Sequence, residues 1–560
     1  MINETVLTYH QRTKHHFERY AKGPTHINWY AQPDGFRHYI GTKRFELPQV
    51  ADSLNSAYLD LYQPGAITPQ PLTLNHIAAL LELSLAISAW KQYGENRWAL
   101  RCNPSSGNLH PTEGYIVLPH LDDIPAGVYH YMSRDHVLEQ RGLLEAKGAE
   151  SLKAALSKQR FLFGLTSIPW REAWKYGERA FRYCQHDIGH AIAAIRYAAA
   201  TLGWRVLVLD NWADTDIITT LGLDQDQDFN PKEPEVPEVM LCIEIPPIQE
   251  NCPYPPLSRL SSDSIVPAIT GTTWAGKANV LDPHHDYEWP IIDTVLEATL
   301  KPVTIEPDWA AKPLPPLSPI IACTQRAADL IRQRRSAQRF DGVTPLSQEA
   351  FYRLLDTTLP RPGAAPWDVF PHQPCLHLVL FVHRITGLSP GLYILLRREG
   401  IEENLRAALQ HKDFEWNKPA CPKHLQLYQL LSGDGQQIAQ QISCHQEIAA
   451  DSAFSLGMLS EFENTLESKP WAYRRLFWEA GIIGQILYLE AEAVGARGTG
   501  IGCYFDEAFH SLLGLNDIHY QSLYHFTVGT PLIVIHKSKW YNICPYRQTI
   551  FNVKLIFVEH

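Results

Sequence analysis

The 560-residue chain has no CxxC pair among its ten cysteines, no run of about 18 uninterrupted apolar residues and no long basic run. Each absence removes a class of protein. Without paired cysteines a zinc ribbon is not encoded, and the nearest metal-like set, Cys421, His424, Cys444 and His445, matches no standard zinc spacing, so no metal is expected. Even the apolar stretch from Leu72 to Trp90 is interrupted by Asn75, His76 and Glu82, which argues against a membrane span. The formal charge of −11 disfavours coating nucleic acid, which needs a concentrated basic surface. The first residues, Met1 to Thr5 and then Tyr9 to Arg12, lack the apolar core of a secretory signal, and a cytoplasmic protein is expected. No Walker sequence occurs, and no GxGxxG opens a helix.

What is present is an ordinary globular composition, 45% hydrophobic, 11% aromatic and 19% charged, in a chain too long for one core. The stretch Asp187 to Gly203 places Ile188, Ile192, Ile195, Ala199 and Leu202 on one face, the period of a buried helix, and Val206 to Leu209 reads as a buried strand. The same pattern returns downstream. Gly481, Gly495 and Gly514 repeat the spacing of Gly189, Gly203 and Gly222, since 481 − 189, 495 − 203 and 514 − 222 all equal 292. Arg474 falls on Arg182 at that offset, Leu513-Gly514-Leu515-Asn516 echoes Leu221-Gly222-Leu223-Asp224, and Gly391-Leu392-Tyr393 resembles Gly127-Val128-Tyr129 at 391 − 127 = 264. The chain is a diverged tandem duplication. From Pro231 to Pro319 it holds 17 of the 40 prolines in 89 residues, a density that disfavours regular structure. The expected division is a first domain over 1–250, a Pro-rich linker over 251–320 packed along both halves, and a second domain over 321–560. Val236 to Ile245 is expected to close the first domain as a strand.

Three segments carry candidate chemistry. In the first copy, Asn103-Pro104-Ser105-Ser106-Gly107-Asn108-Leu109-His110-Pro111-Thr112-Glu113 leads into the strand Tyr115 to Leu118. It offers hydroxyls, a carboxamide and free N–H groups to a heteroaromatic ring, or it is a plain turn. The second copy opens on Arg334-Arg335-Ser336-Ala337-Gln338-Arg339-Phe340, three guanidiniums and a hydroxyl able to grip a phosphate, or a solvated basic helix end. Later comes Gly495-Ala496-Arg497-Gly498-Thr499-Gly500-Ile501-Gly502, read as a glycine segment between a helix and a strand, either approached by a flat cofactor or a flexible turn.

Together PSSGNLHPTE, RRSAQRF and GTGIG resemble motifs of the nitroreductase-like flavoprotein superfamily, and the first copy, including Trp174 to Tyr183, is most similar to SagB/ThcOx-type dehydrogenases. The resemblance covers nearly the whole chain. It implies an α+β fold in two tandem domains forming an intrachain pseudo-dimer, with FMN between them and a chain able to act as a monomer. Each copy departs from the family pattern in a different part. Ahead of its loop the first copy has Tyr58 to Tyr62 in place of arginines, and its counterpart of GTGIG reads Val206-Leu207-Val208-Leu209-Asp210; the second has Arg361 to Pro366 in place of PSSGN. One complete FMN site is therefore expected from Pro104, Ser105, Ser106 and Asn108 with Arg334, Arg335, Ser336, Arg339, Gly498, Thr499, Gly500, Ile501 and Gly502, and a degenerate, empty site at the pseudo-symmetric position.

Lys175 and Tyr176 look like the Lys-Tyr pair of azoline-oxidising members, with the second copy showing Glu467 and Ser468 instead. The competing reading is an exposed, ion-paired helix face built from Glu172, Lys175, Glu178 and Arg179. The resemblance implies hydride transfer between flavin N5 and an organic substrate, a small molecule or a peptide azoline. An NAD(P)H-dependent nitro or quinone reductase is the alternative, and a non-catalytic, peptide-binding scaffold a third.

Overall fold

The computed structural model describes residues 2–93, 95–156, 159–247, 258–307, 309–320, 323–532 and 539–541. The apolar period around Ile188 becomes a helix spanning Ala180–Thr201, buried along its whole length. Its repeat spans Ala472–Ala493, an offset of 472 − 180 = 292. A helix buried all round needs partners on every side. Here each supplies the other, and their closest approach is at two glycines. A Cβ on Gly189 would meet the Trp478 carbonyl oxygen at 2.2 Å, and one on Gly481 would meet that of His186 at 2.2 Å. The glycines that mark the duplication in sequence are therefore where the two copies cross.

Each copy wraps its helix with an antiparallel sheet of the same topology. With strands numbered along the chain within each copy, the spatial order is 3-2-1-4-6-5 in both. In the first copy these strands are Thr112–Leu118, Gly127–Met132, Val137–Leu143, Arg160–Ser167, Arg205–Val208 and Val236–Glu244. In the second they are Leu376–Val382, Gly391–Leu396, Gln426–Ser432, Phe454–Glu461, Arg497–Ile501 and Tyr520–Gly529. The fold is α+β, and Val236 to Ile245 does supply the first copy's last strand. The helices Asp214–Leu221 and Asp506–Leu513 also match at 292, each ending on a left-handed glycine, Gly222 (φ 70°) and Gly514 (φ 71°).

Charge crosses the interface reciprocally. Arg182 of the first copy pairs with Asp506 of the second at 3.1 Å, and the equivalent Arg474 pairs with Asp214 at 2.6 Å. All four side chains are buried, so removing one partner strands a charge, at a cost of about 3–5 kcal/mol. The halves form an intrachain pseudo-dimer.

The proline-rich segment holds more structure than its composition suggests. Thr273–Trp274 joins the edge of the first sheet, Lys277–Ala278 pairs with Tyr39–Ile40, and the helix Pro290–Ala298 begins on proline, where the missing N–H costs nothing. Further on it touches both halves: the Lys301 amide donates to Asp214, and Lys469 donates to Glu306. The boundary expected at 250/251 lies outside the described residues, and that at 320/321 falls where the described range 309–320 stops. No helix among the described residues is long and apolar enough to cross a membrane.

Candidate functional site

The loop after Arg101 is shaped by its own polar groups. The His110 amide donates to Ser105 Oγ at 2.8 Å, the Asn108 carboxamide donates to the Ala99 carbonyl at 2.8 Å, and Gly107 and Asn108 turn the chain with positive φ. The loop is thereby fixed with its Ser106 amide donating to Asp187 of the central helix. A cavity of about 270 Å³ lies between this loop and the second copy. Pro104, Ser105, Ser106 and Gly107 form one wall, and Ser336, Gly500, Ile501 and Gly502 form the other.

The glycine segment is itself the strand Arg497–Ile501, paired with Tyr520–Gly529, and not a connection before one. Its glycines are required by space. A Cβ on Gly500 would lie 1.9 Å from Tyr524 Oη, and one on Gly502 would lie 2.4 Å from the Tyr183 ring of the first copy. The Gly500 amide donates to Tyr488 Oη at 2.9 Å, and that hydroxyl also bonds Ser336 Oγ, so Tyr488 ties strand to arginine motif. Thr499 turns its hydroxyl to the Ala337 carbonyl.

The arginines stand behind the cavity wall. Arg334 donates to the carbonyls of Arg101 and Cys102 at the base of the first-copy loop, and Arg335 donates to Ser88 Oγ. Burial and the adjacent Arg334 charge pull the Arg335 guanidinium down to about 10, and buried Arg334 Nη1 has no hydrogen-bond partner. Two crowded cations, one of them with an unpaired buried donor, are what an anion relieves. Of the residues singled out in the sequence, Asn108, Lys175, Arg334, Arg335, Arg339, Gly498 and Thr499 are not among those walling the cavity, and Arg339 is exposed.

Tyr176 does wall it, at the end of the helix Pro169–Tyr176. A Cβ on Gly107 would meet Tyr176 Oη at 2.5 Å and Lys175 Nζ at 3.1 Å, so both functional groups lie against the loop. The exposed-face reading of this helix is wrong. Glu172, Glu178 and Arg179 are buried, and Glu178 takes two hydrogen bonds from Arg12 while Arg179 reaches Asp506 and the Gly502 carbonyl. The covering residues come from the N-terminal segment and the second copy, which no local spacing reveals.

Sequence reasoning missed the buried carboxyl pair beside the cavity, Glu172 and Asp187. Neither Glu172 oxygen has a hydrogen-bond partner. Burial, with Asp187 as the second cause, raises Glu172 well above the carboxylate range, and burial raises Asp187 to about 8. Burial also lowers the Lys175 ammonium, with Glu172 opposing, and raises the Tyr176 phenol. At neutral pH the site therefore holds a neutral phenol and a carboxyl pair that keeps a proton. The folded state binds protons that the unfolded chain has released, so this pair erodes stability as pH rises from 3.8 through about 8. Asp187→Asn, which keeps an acceptor for the Ser106 amide, is expected to lose less in melting temperature than the parent between about pH 5 and about pH 8. Parallel thermal melts check this; equal losses would mean that the pair does not titrate as described.

The pseudo-symmetric position is not filled in. A cavity of about 820 Å³ lies there, walled by Asp60 and Leu61, by Trp204, Arg205 and Leu207, and by Arg361 to Gly363. Arg196 replaces Tyr488 (488 − 292 = 196) and donates two hydrogen bonds to Asp368, at 2.7 and 2.9 Å. Val208 and a paired arginine thus stand where the first site has Gly500 and Tyr488 (500 − 292 = 208). The metal-like set does not converge either: His424 bonds Asp356, Cys444 contacts Cys503, and no cluster of three or more metal-binding side chains occurs among the described residues.

No family model matches the chain. Its fold superimposes on that of a protein classed as a nitroreductase from Anabaena variabilis, with a TM-score of 0.66 and 20% identity over 94% of this chain and 99% of that one. The chain therefore has a tandem, nitroreductase-like α+β fold. By sequence it is 29% identical over 194 residues to the trifolitoxin-processing protein TfxB of Rhizobium leguminosarum, a match spanning 32% of this chain and about half (52%) of that protein. It is also 22% identical over 183 residues to a protein classed as a nitroreductase in Methanocaldococcus jannaschii, covering 31% of this chain and 88% of that one.

Proposed function

We propose that the chain is an FMN-dependent oxidoreductase of the SagB/ThcOx type, acting on a ring within a peptide. The observation that carries the proposal is the composite cavity, where the PSSGN loop of the first copy meets Ser336 of the arginine motif and the glycine strand of the second. The residues fit the cofactor in chemistry: Arg334 and Arg335 are crowded cations with a free buried donor for a phosphate, and Gly500 and Gly502 give a wall with no side chain. FMN, when bound, supplies two-electron redox chemistry. Ser105, Ser106 and Ser336 would bond its polar edges, Pro104 and Ile501 would pack on its flat surface, and Arg339, exposed beside the motif, would complete the phosphate grip.

The chain's own acid-base groups follow from burial. Lys175, lowered by desolvation, takes a proton from the substrate, while the neutral Tyr176 phenol donates a hydrogen bond to it. The Glu172–Asp187 pair, holding one proton, steadies the Lys175 charge that results. The likeness to a trifolitoxin-processing protein supports a peptide substrate, and the internal pseudo-dimer supports a monomeric enzyme.

The test is anaerobic mixing of the FMN-loaded protein with an azoline-containing peptide, followed by flavin absorbance. Bleaching by the peptide, with oxidation of its ring seen by mass spectrometry, is the expected result. Bleaching by NAD(P)H alone would replace this reading with the nitro or quinone reductase.

A further inference from the structure

Cys444 and Cys503 are 59 residues apart in sequence, yet their sulfurs lie 2.7 Å apart at the rim of the composite cavity. Cys503 directly follows Gly502 of the glycine strand and walls the cavity. Cys444 follows the helix Gln436–Ile442 in a left-handed turn (φ 53°), with His445 also at positive φ (61°). Two hydrogen bonds hold the segments together: Gln446 Nε2 donates to the Cys503 carbonyl at 3.1 Å, and the Phe505 amide donates to the Ile442 carbonyl at 2.7 Å. Both thiols are partly exposed, unlike Cys102, Cys184 and Cys242, which are buried.

We propose that Cys444 and Cys503 are a redox-active dithiol that closes to a disulfide at the cavity rim and so controls ligand exchange there. Geometry brings the sulfurs together, and the surroundings assign their roles. The hydrogen bond from Cys444 favours the Cys503 thiolate, and the Arg179 guanidinium, donating to the adjacent Gly502 carbonyl, favours it further against the opposing effects of burial and of Asp506. Cys444 is held as the thiol by its bond to Cys503 and by burial. Cys503 is thus the attacking sulfur. With a low-molecular-weight disulfide as oxidant, the Cys503 thiolate attacks one of its sulfurs and expels a thiolate. Cys444 then loses its proton to solvent and attacks Cys503, forming the intrachain bond and expelling the second thiolate. Two protein thiols are oxidised and one small disulfide is reduced to two thiols. The bond ties the segment carrying Gln446 to the end of the glycine strand, across the wall that both line.

The test equilibrates the full chain in graded ratios of reduced to oxidised glutathione, alkylates remaining thiols and maps peptides by mass spectrometry. A cross-linked 444–503 peptide pair, lacking two hydrogens and titrating as a two-electron couple, is expected. Cys444→Ser should leave Cys503 as a glutathione adduct, marking it as the attacking thiol. Separate adducts on both cysteines of the parent, with no cross-link at any ratio, would overturn the proposal. The effect on ligand exchange rests on the FMN reading. FMN release should be slower from the oxidised parent than from the reduced one and should return to the reduced rate when the cross-link is reduced with dithiothreitol; unchanged release from a cross-linked protein overturns the control of exchange alone. A protein that binds no FMN defeats the earlier reading while leaving the thiol titration decisive.

Discussion

Gly481→Val is expected to destabilise the chain by at least about 3 kcal/mol, the upper range for forcing extra atoms into a packed contact. At this position a Cβ would already stand 2.2 Å from the His186 carbonyl oxygen and 2.8 Å from the Gly189 Cα, and both are backbone atoms that no rotamer change can move. The helices Ala180–Thr201 and Ala472–Ala493 must then separate, and the composite cavity opens with them, because Asp187 and Tyr183 ride on the first helix and Tyr488 on the second. Thermal melts and FMN titration should therefore fall together. Gly35→Ala, where a Cβ meets nothing within 4 Å, is the control and should change neither. A Gly481→Val protein with the parent's melting temperature would mean that the two copies do not cross where described.

The second large effect concerns the loop-facing pair. Tyr176→Phe and Lys175→Ala should each lower turnover by roughly 10²–10⁴-fold, the range for losing a positioned proton-transfer group. FMN affinity should change little, because Lys175 is not a wall residue and Tyr176→Phe keeps its ring against Tyr183, whose centroid is 4.6 Å away. Desolvation lowers the Lys175 ammonium, so the rate should rise with pH as that group loses its proton, and the rise should vanish in Lys175→Ala. Parent-level turnover in both variants would remove them from the chemistry.

The duplication was legible because glycine spacing survives divergence where packing is tight. Gly189 and Gly481 are kept apart from any side chain by each other's backbone, so their offset records geometry directly. The three site segments were legible for a similar reason, being runs of unusual residue types. The strand Arg497–Ile501 was misread because glycine weakens strands, and only its pairing with Tyr520–Gly529 and its packing on Tyr524 make it one. The partners of Arg182 and Arg474 were invisible, since Asp506 and Asp214 come from the opposite copy. Burial of Glu172 was hidden for the same cause: its local spacing fits a solvated ion-paired helix, and the residues that bury this face are distant in the chain.

The most direct measurement is the number of FMN molecules bound per chain, by titration of flavin-free protein and release of the chromophore on denaturation. One FMN per chain is expected, lost alike in Arg335→Ala of the second copy and in Ser106→Trp of the first, because a single site draws on both. Two FMN per chain would mean that the Arg196 and Trp204 cavity is a working site, and binding that survives either substitution would contradict a site shared between the copies.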